Sequence, residues 1–385
     1  MEKRIKFDMF IPEDVKKIND IFTEKEYELF PVGGCVRDAY LKVKPKDYDL
    51  ATNAIPDAII TLLKEKSFVK NILLTGKNFG VINIITNSGN EYEIATFRSD
   101  GIYNDGRRPD SVIFSNITSD ANRRDLRINA LYYDLNTNEI IDIVGGIDDI
   151  DNKIIRAVGD PKERFIEDSL RVLRAIRFAA RFDSNLEFET DAAIKQGLFN
   201  LNNISKERIR DEFLKGIKTA VSTVHFLKLI DEYDLWFWIF PNLSIDKNFA
   251  EEKDHVVLIA NLLKGNDLIK IDKILRKMTF TVNKGKDINS VKEIPKIKFL
   301  ISFLDFDTSK VRDFKDSQLK AGVSEDQIRK FSKLTNLDSK IVNTFIDFNN
   351  TITGQELMDL GFSGRSIRDE QDRLEANNFK TFLRK

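Results

Sequence analysis

Gly33-Gly34-Cys35-Val36-Arg37-Asp38, followed nine residues on by Asp47-Tyr48-Asp49, is the stretch from which the architecture is read. Two adjacent glycines let backbone N–H groups approach a phosphate closely, and an arginine one turn into the next helix adds positive charge. Gly33, Gly34 and Arg37 are therefore candidate triphosphate ligands. Aspartates at i and i+2 on a strand project to one face, about 7 Å apart along the backbone. Asp47 and Asp49 thus offer hard oxygen ligands to magnesium, which takes a few carboxylates together with substrate phosphates. A triphosphate cradle beside such a pair points to nucleotidyl transfer, with two Mg2+ ions clamping an in-line displacement at phosphorus. Lys46-Asp47-Tyr48-Asp49 alone reads more readily as a solvated turn than as a site. The glycine-arginine run before it and the strand-like Leu50-Ala51-Thr52 after it favour chemistry.

Outward from this motif, β-type runs at 68–74, 81–86 and 92–97 are separated by the turn signals Gly76-Lys77-Asn78 and Asn87-Ser88-Gly89-Asn90. Residues 57–66, after Pro56, read as a helix. The pattern predicts an α/β domain with a mixed sheet through about residue 145. Helix then takes over. Asp160-Pro161-Lys162-Glu163 combines a capping aspartate, a first-turn proline and a glutamate at N3. The helix it starts carries Phe165, Leu170, Leu173, Ile176 and Ala180 at core spacing and is expected to run to about Arg181. Ser205 is the expected cap of a further helix with Ile209, Phe213 and Ile217 every four residues. Everything beyond about residue 218 reads as helical, with lysine-rich connections such as Lys284-Gly285-Lys286.

At 385 residues the chain is long enough for at least two cores. Its 32% charged residues and net charge of −1 fit an ordinary globular protein whose nucleic-acid surface must be a local patch. One cysteine excludes an intramolecular disulfide, and two histidines make a His/Cys zinc site or histidine catalysis a poor fit. No apolar run approaches the roughly 20 residues that span a bilayer, and the start lacks a signal-peptide core. A cytoplasmic protein with no membrane partner is expected.

Three further clusters bear on the chemistry. Glu93, in Glu91-Tyr92-Glu93-Ile94-Ala95-Thr96-Phe97, is the candidate third carboxylate, although a wet sheet face would show the same alternation. In Arg123-Arg124-Asp125-Leu126-Arg127-Ile128-Asn129, the amide and carboxylate of Asn129 and Asp125 suit ribose hydroxyls, and arginine suits phosphate. In Glu167-Asp168-Ser169-Leu170-Arg171, helical spacing makes Asp168 and Arg171 neighbours. A surface ion pair is the plain reading. The chemical one is base recognition: an aspartate accepts from the exocyclic amine of cytosine or adenine while an arginine donates to the ring nitrogen. Guanine and uracil present the reverse polarity and would leave buried groups unpaired. Arg174, Arg177 and Arg181 continue along the helix and could meet phosphate, although each taken singly reads as a solvated charge.

Taken in this order, the motifs resemble the class II tRNA nucleotidyltransferases (CCA-adding enzymes) and the related bacterial poly(A) polymerases. Matching stretches are 33–56, 123–133, 142–146, 160–181 and 205–213. The resemblance implies an α+β protein: an N-terminal polymerase-β-type nucleotidyltransferase head with a mixed sheet, residues 1–145, then elongated all-helical parts. These would be a nucleobase-recognising neck, 146–217, and a tRNA-binding body and tail, 218–385. It implies metal ligation by Asp47 and Asp49 with Glu93 as a further acid, and ribose recognition by Arg124, Asp125 and Asn129. Base reading falls to Asp168 and Arg171, with Glu167, Arg174 and Arg177 as further contacts. The segment 98–110, including Arg98, Asp100 and Arg107, resembles the family's flexible loop, which CCA-adding members need to switch from CTP to ATP. The implied partners are tRNA, CTP and ATP, not DNA. Poly(A) polymerases share these catalytic motifs, and enzymes adding only CC or only A remain alternatives. Gly76-Lys77-Asn78-Phe79-Gly80-Val81 and Ile352-Thr353-Gly354-Gln355-Glu356-Leu357-Met358-Asp359-Leu360-Gly361 look more like CCA-adding members, whereas Gly364-Arg365-Ser366-Ile367 lacks a proline many of them have. No His-Asp phosphohydrolase signature is present.

Overall fold

The structure, a computed structural model, describes residues 2–101, 111–197, 199, 201–280 and 293–384. Arg107 with the rest of 102–110, and Lys284-Gly285-Lys286, lie outside the described residues. The chain divides into two compact units, Met1–Ile204 and Ser205–Lys385. Residues 146–204 belong to the first.

The alternating apolar runs of the first unit become strands. They are β1 (Lys3–Lys6), β2 (Leu29–Val32), β3 (Asp49–Thr52), β4 (Val69–Leu73), β5 (Val81–Thr86), β6 (Glu91–Thr96), β7 (Arg98–Asp100), β8 (Val112–Phe114), β9 (Leu131–Asp134) and β10 (Glu139–Asp142). Eight form one sheet in the order β1-β10-β9-β2-β3-β6-β5-β4. Every neighbour in it is antiparallel except β3 and β6, which run parallel. β7 and β8 make a separate hairpin ladder. On one face lie α1 (Glu13–Thr23), α2 (Gly34–Tyr40) and α3 (Pro56–Leu63). Their Ile18, Phe22, Val36, Ile59 and Leu63 share a core with Leu50, Ile82, Ile84 and Ile94 of the sheet. The opposite face carries a smaller cluster around Phe30, Ala51, Phe97 and Tyr132. That face holds the candidate site.

The unit continues through α4 (Ile117–Asn122), α5 (Gly146–Asp151), α6 (Pro161–Glu167), α7 (Leu170–Phe182) and α8 (Phe188–Lys195), with the short parallel pair β11 (Ile154–Ile155) and β12 (Asn185–Leu186). The continuous helix expected from 160 to 181 is two helices. Asp160 caps the first through Lys162 N, at 2.8 Å. The break falls at Asp168, whose backbone is extended (φ −140°, ψ 99°). Asp168 Oδ1 accepts from Leu170 N at 3.1 Å and Ser169 Oγ donates to the Phe165 carbonyl at 3.0 Å. Short polar side chains thus take backbone partners that a helix would otherwise use.

Among its described residues the second unit has helices and no strand, but 240–254 is irregular, contrary to the expectation of helix throughout. Its helices are α9 (Lys206–Thr219), α10 (Thr223–Glu232), α11 (Trp236–Ile239), α12 (His255–Leu263), α13 (Leu268–Lys277), α14 (Glu293–Ser302), α15 (Val311–Ala321), α16 (Glu325–Thr335), α17 (Ser339–Asp347), α18 (Gly354–Asp359) and α19 (Arg365–Arg384). Ser205 occupies the N-cap of α9 but makes no capping side-chain bond, contrary to expectation. Ile209, Phe213 and Ile217 are buried as their spacing predicts. Aromatic rings fill two places in this unit: Phe213 meets Phe240 at 5.5 Å, and Phe303 meets Phe345 at 4.8 Å.

Candidate active site

The fully buried β2 ends at Val32, and the chain turns at Gly33 with φ +74° and ψ −118° before α2 begins. Only glycine takes that conformation without strain. A Cβ there would also sit 3.3 Å from the Asn129 carbonyl and 3.4 Å from Arg124 Nη1. Antiparallel pairing places Val32 opposite Asp49. Parallel pairing places Leu50 opposite Ile94, so Asp49 and Glu93 precede that pair on adjacent strands. Tyr48 and Leu50 are buried while Asp47, Asp49 and Glu93 are exposed, so period-two alternation turns all three carboxylates away from the helical face. Asp47 lies just before β3 rather than within it, and Asp49 is the first strand residue.

Desolvation by the surrounding protein raises the Asp49 carboxyl above its usual range; Arg124 opposes this and Asp47 adds to it. Glu93 is likewise raised by desolvation and then by Asp49, against Arg98, Arg123 and Arg124. These are mutually repelling oxygen donors, the environment a hard divalent cation relieves. Among the described residues no group of three or more such side chains is close enough to hold an ion by itself. That donor set fits Mg2+, which fills its shell with water and substrate phosphate.

A second layer is organised by Asp120, 1% exposed on α4, which the sequence reading missed. Its carboxylate takes Arg123 Nη2 at 2.6 Å, Arg124 Nη2 at 3.0 Å and the Tyr132 hydroxyl at 2.7 Å. Burial would raise it, but Arg124 and Arg123 hold it below the usual range. Its spacing of three and four before the two arginines was the available signal. Asp125 accepts from Arg174 Nε at 2.7 Å, Leu126 N at 2.8 Å and Asn129 Nδ2 at 3.2 Å. Burial pushes this carboxyl up; Arg174 foremost overcomes that and brings it to about 2.

Arg37 is 3% exposed. Its guanidinium donates to Asp38 Oδ1 at 2.7 Å and to Asn129 Oδ1, and stacks 5.0 Å from Phe178 and 5.1 Å from Phe182. Arg181 Nη2 reaches Asp38 Oδ2 at 3.0 Å. A chain Arg181–Asp38–Arg37–Asn129–Asp125–Arg174 therefore ties α2 and the 125–129 turn to α7. Arg177, 6% exposed, lies 4.1 Å over the Phe178 ring. Arg171 is 8% exposed and donates to Glu167 Oε2 at 2.7 Å and to the carbonyls of Arg164 and Arg123, both at 3.3 Å. Asp168 is half-buried in the α6–α7 break, where its carbonyl accepts from Arg171 N at 2.9 Å. Arg98 bonds Asp100 Oδ1 at 3.0 Å and the Phe79 carbonyl at the base of the β7–β8 ladder.

This geometry has counterparts in known proteins. The family profile described as "Poly A polymerase head domain" matches residues 29–156, and that described as "Probable RNA and SrmB- binding site of polymerase A" matches 185–246. A CCA-adding enzyme of Lactobacillus helveticus is 45% identical over 190 residues, 49% of this chain and 46% of that protein. Poly(A) polymerase I of Salmonella typhi is 34% identical over 274 residues, 67% of this chain and 56% of that protein. The chain belongs to the class II CCA-adding enzyme and poly(A) polymerase family. It spans about half the length of the curated relatives it matches. The family fold extends further. The Bacillus stearothermophilus CCA-adding enzyme in complex with CTP superposes with a TM-score of 0.69 at 22% identity, covering 95% of this chain and 92% of that one. The Thermotoga maritima CCA-adding enzyme complexed with tRNA gives 0.65 at 20%, covering 98% and 95%.

Proposed function

We propose that this family member builds or repairs the 3′-terminal CCA of tRNA from CTP and ATP, without a nucleic-acid template and within the cytoplasm. The observation that carries the reading is the pairing of β3 with β6, which sets Asp49 and Glu93 side by side at the Gly33 turn. Asp47 and Asp49 would hold two Mg2+ ions, with Glu93 as a further carboxylate. Bound there, the ions would supply Lewis-acid stabilisation of the attacking and leaving oxygens. Gly33 and Gly34 admit the triphosphate to the backbone. Arg124, Asp125 and Asn129 receive the ribose, and Arg37 acts through Asn129 as a positioning residue. Asp168 accepts from the exocyclic amine of cytosine or adenine and Arg171 donates to the ring nitrogen. Anchoring of Arg171 by Glu167 and two carbonyls supports this, because a fixed donor rejects the reverse base polarity. The tRNA 3′-hydroxyl forms the new bond to the α-phosphorus as the bond to pyrophosphate breaks. Residues 1–145 serve as the catalytic head, 146–217 as a base-reading neck, and 218–385 as the body and tail that grip RNA by shape and charge.

The deciding experiment offers the protein a tRNA ending at the discriminator base, with CTP, ATP or both. Three added residues ending in A are expected. CTP use that stops after two residues even with ATP present would identify CC addition. Growth only on tRNA already ending in CC would identify A addition. The long alignment with a poly(A) polymerase gives the remaining outcome its force: long A tracts on generic RNA would replace the proposal. Asp47→Ala should abolish incorporation while tRNA binding is kept, and unchanged incorporation would remove the metal assignment.

A further inference from the structure

Two arginines and a tyrosine converge on the buried Asp120 carboxylate. Its Oδ1 accepts from Arg123 Nε at 2.8 Å and Arg123 Nη2 at 2.6 Å. Its Oδ2 accepts from Arg124 Nε at 3.3 Å, Arg124 Nη2 at 3.0 Å and the Tyr132 hydroxyl at 2.7 Å. Tyr132 in turn accepts from Arg124 Nε at 3.2 Å, and its ring lies 5.3 Å from that guanidinium. One edge of Arg124 is thus fixed, and its other end faces the glycine turn. A Cβ on Gly33 would lie 3.4 Å from Arg124 Nη1. Nη1 also reaches the Asn129 carbonyl at 3.4 Å, a long bond that leaves its second N–H for an oxygen of the nucleotide. Arg123 carries a second link. Its side chain is clamped on Asp120, while its carbonyl accepts from Arg171 Nη2 at 3.3 Å. From one buried point Asp120 therefore fixes both the ribose donor and the backbone oxygen that helps hold the base reader.

We propose that Asp120, seconded by the Tyr132 hydroxyl, is a positioning residue that sets nucleotide affinity through Arg124 and base choice through Arg123 and Arg171. These roles rest on the nucleotide contacts proposed above and add to them two residues that no substrate touches, since Asp120 is 1% and Tyr132 0% exposed. A buried ion pair adds little net stability over an apolar packing of the same volume, so what this one supplies is fixed geometry. Pairing within α4 alone would also not require Tyr132, which comes from β9. Asp120→Asn keeps the shape but turns an NH2 group toward one of the arginines, where nothing accepts from it. That arginine then loses its anchor.

The test measures single-nucleotide incorporation by the full chain, with CTP on tRNA ending at the discriminator base and ATP on tRNA ending in CC. In Asp120→Asn, KM for CTP and for ATP should each rise about tenfold. The preference for CTP over UTP should fall about tenfold, with kcat changed less than about threefold. Tyr132→Phe removes one hydroxyl from the same network and should move both quantities the same way by about threefold. The control is Asn116→Ala, which removes the α4 cap, a side-chain oxygen 3.0 Å from Ser119 N, and leaves the Asp120 bonds in place. It should lower stability yet keep KM and base preference at wild-type values. Equal shifts in Asn116→Ala would assign the effect to a loosened helix and overturn the proposal. Wild-type KM and preference in Asp120→Asn would overturn it too, as they would in Tyr132→Phe if Asp120→Asn does not fold. A raised KM with base preference intact would remove the link through Arg123 to Arg171. Should the wild-type chain add only A, the CCA reading fails, and the same shifts are then expected in KM for ATP and in the preference for ATP over GTP.

Discussion

Asp125 shows how a single carboxylate couples site chemistry to stability. Its folded-state value of about 2 lies below the ordinary 3.8, because Arg174, Asn129 and a backbone N–H outweigh burial. A depressed folded value contributes stability above the unfolded value, and that contribution fades as pH falls toward the folded one. One unit is worth about 1.4 kcal/mol, so Asp125→Asn should cost about 1–2 kcal/mol at pH 7. The gap between wild type and variant should narrow from about pH 4 downward, as read by urea titrations at successive pH. A gap independent of pH would assign the loss to geometry instead of charge. At the same scale, the sequence grouped Asp125 with Asn129 but left Arg174 to a separate cluster on the later helix, and gave no sign that Arg37 would be enclosed. That enclosure comes from Phe178 and Phe182, about 140 positions away, and no local pattern around Arg37 encodes it.

At the scale of elements, local chemistry was legible and non-local pairing was not. Alternation located β5 and β6 to within a residue, and Asp160-Pro161 located the start of α6. The α6–α7 break escaped because apolar residues keep helical spacing on both sides of Asp168-Ser169, while the side-chain bonds that open the helix leave no periodic trace. Likewise, no local signal states that β3 lies parallel to β6, although that pairing creates the carboxylate neighbourhood. In the second unit, Gly216 of α9 faces the buried ring of Phe226, and a Cβ there would lie 2.1 Å from Phe226 Cζ. Helix propensity predicts that Gly216→Ala gains up to about 1 kcal/mol. Overpacking costs about 1–3 kcal/mol, and Phe213, 6.0 Å from Phe226, limits retreat of the ring. The steric term wins, so Gly216→Ala should lower stability by about 1–2 kcal/mol in chemical denaturation. Adding Phe226→Leu should recover part of the loss beyond additivity. A simple sum of two losses would mean that the ring is not what the new methyl meets.

For the whole molecule, the division at Ile204 and Ser205 gives each unit its own internal packing, and a spectroscopic accident makes that division measurable. Both tryptophans, Trp236 and Trp238, lie in the second unit. Tryptophan fluorescence therefore follows that unit alone, while far-ultraviolet circular dichroism follows helices and strands of both. Units with separate cores need not unfold together, and non-coincident probes are the signature of such behaviour. Under urea, Gly216→Ala should move the fluorescence transition to lower denaturant. Asp125→Asn should leave that transition in place and shift only a circular dichroism component. Lowering the pH below about 4 should remove this second shift but not the first, because Asp125→Asn removes a carboxyl held below its usual range whereas Gly216→Ala removes no titratable group. If both variants displaced both probes equally, the two units would unfold as one cooperative body. Substitutions at the nucleotide-binding residues would then change the stability of the helical part as well.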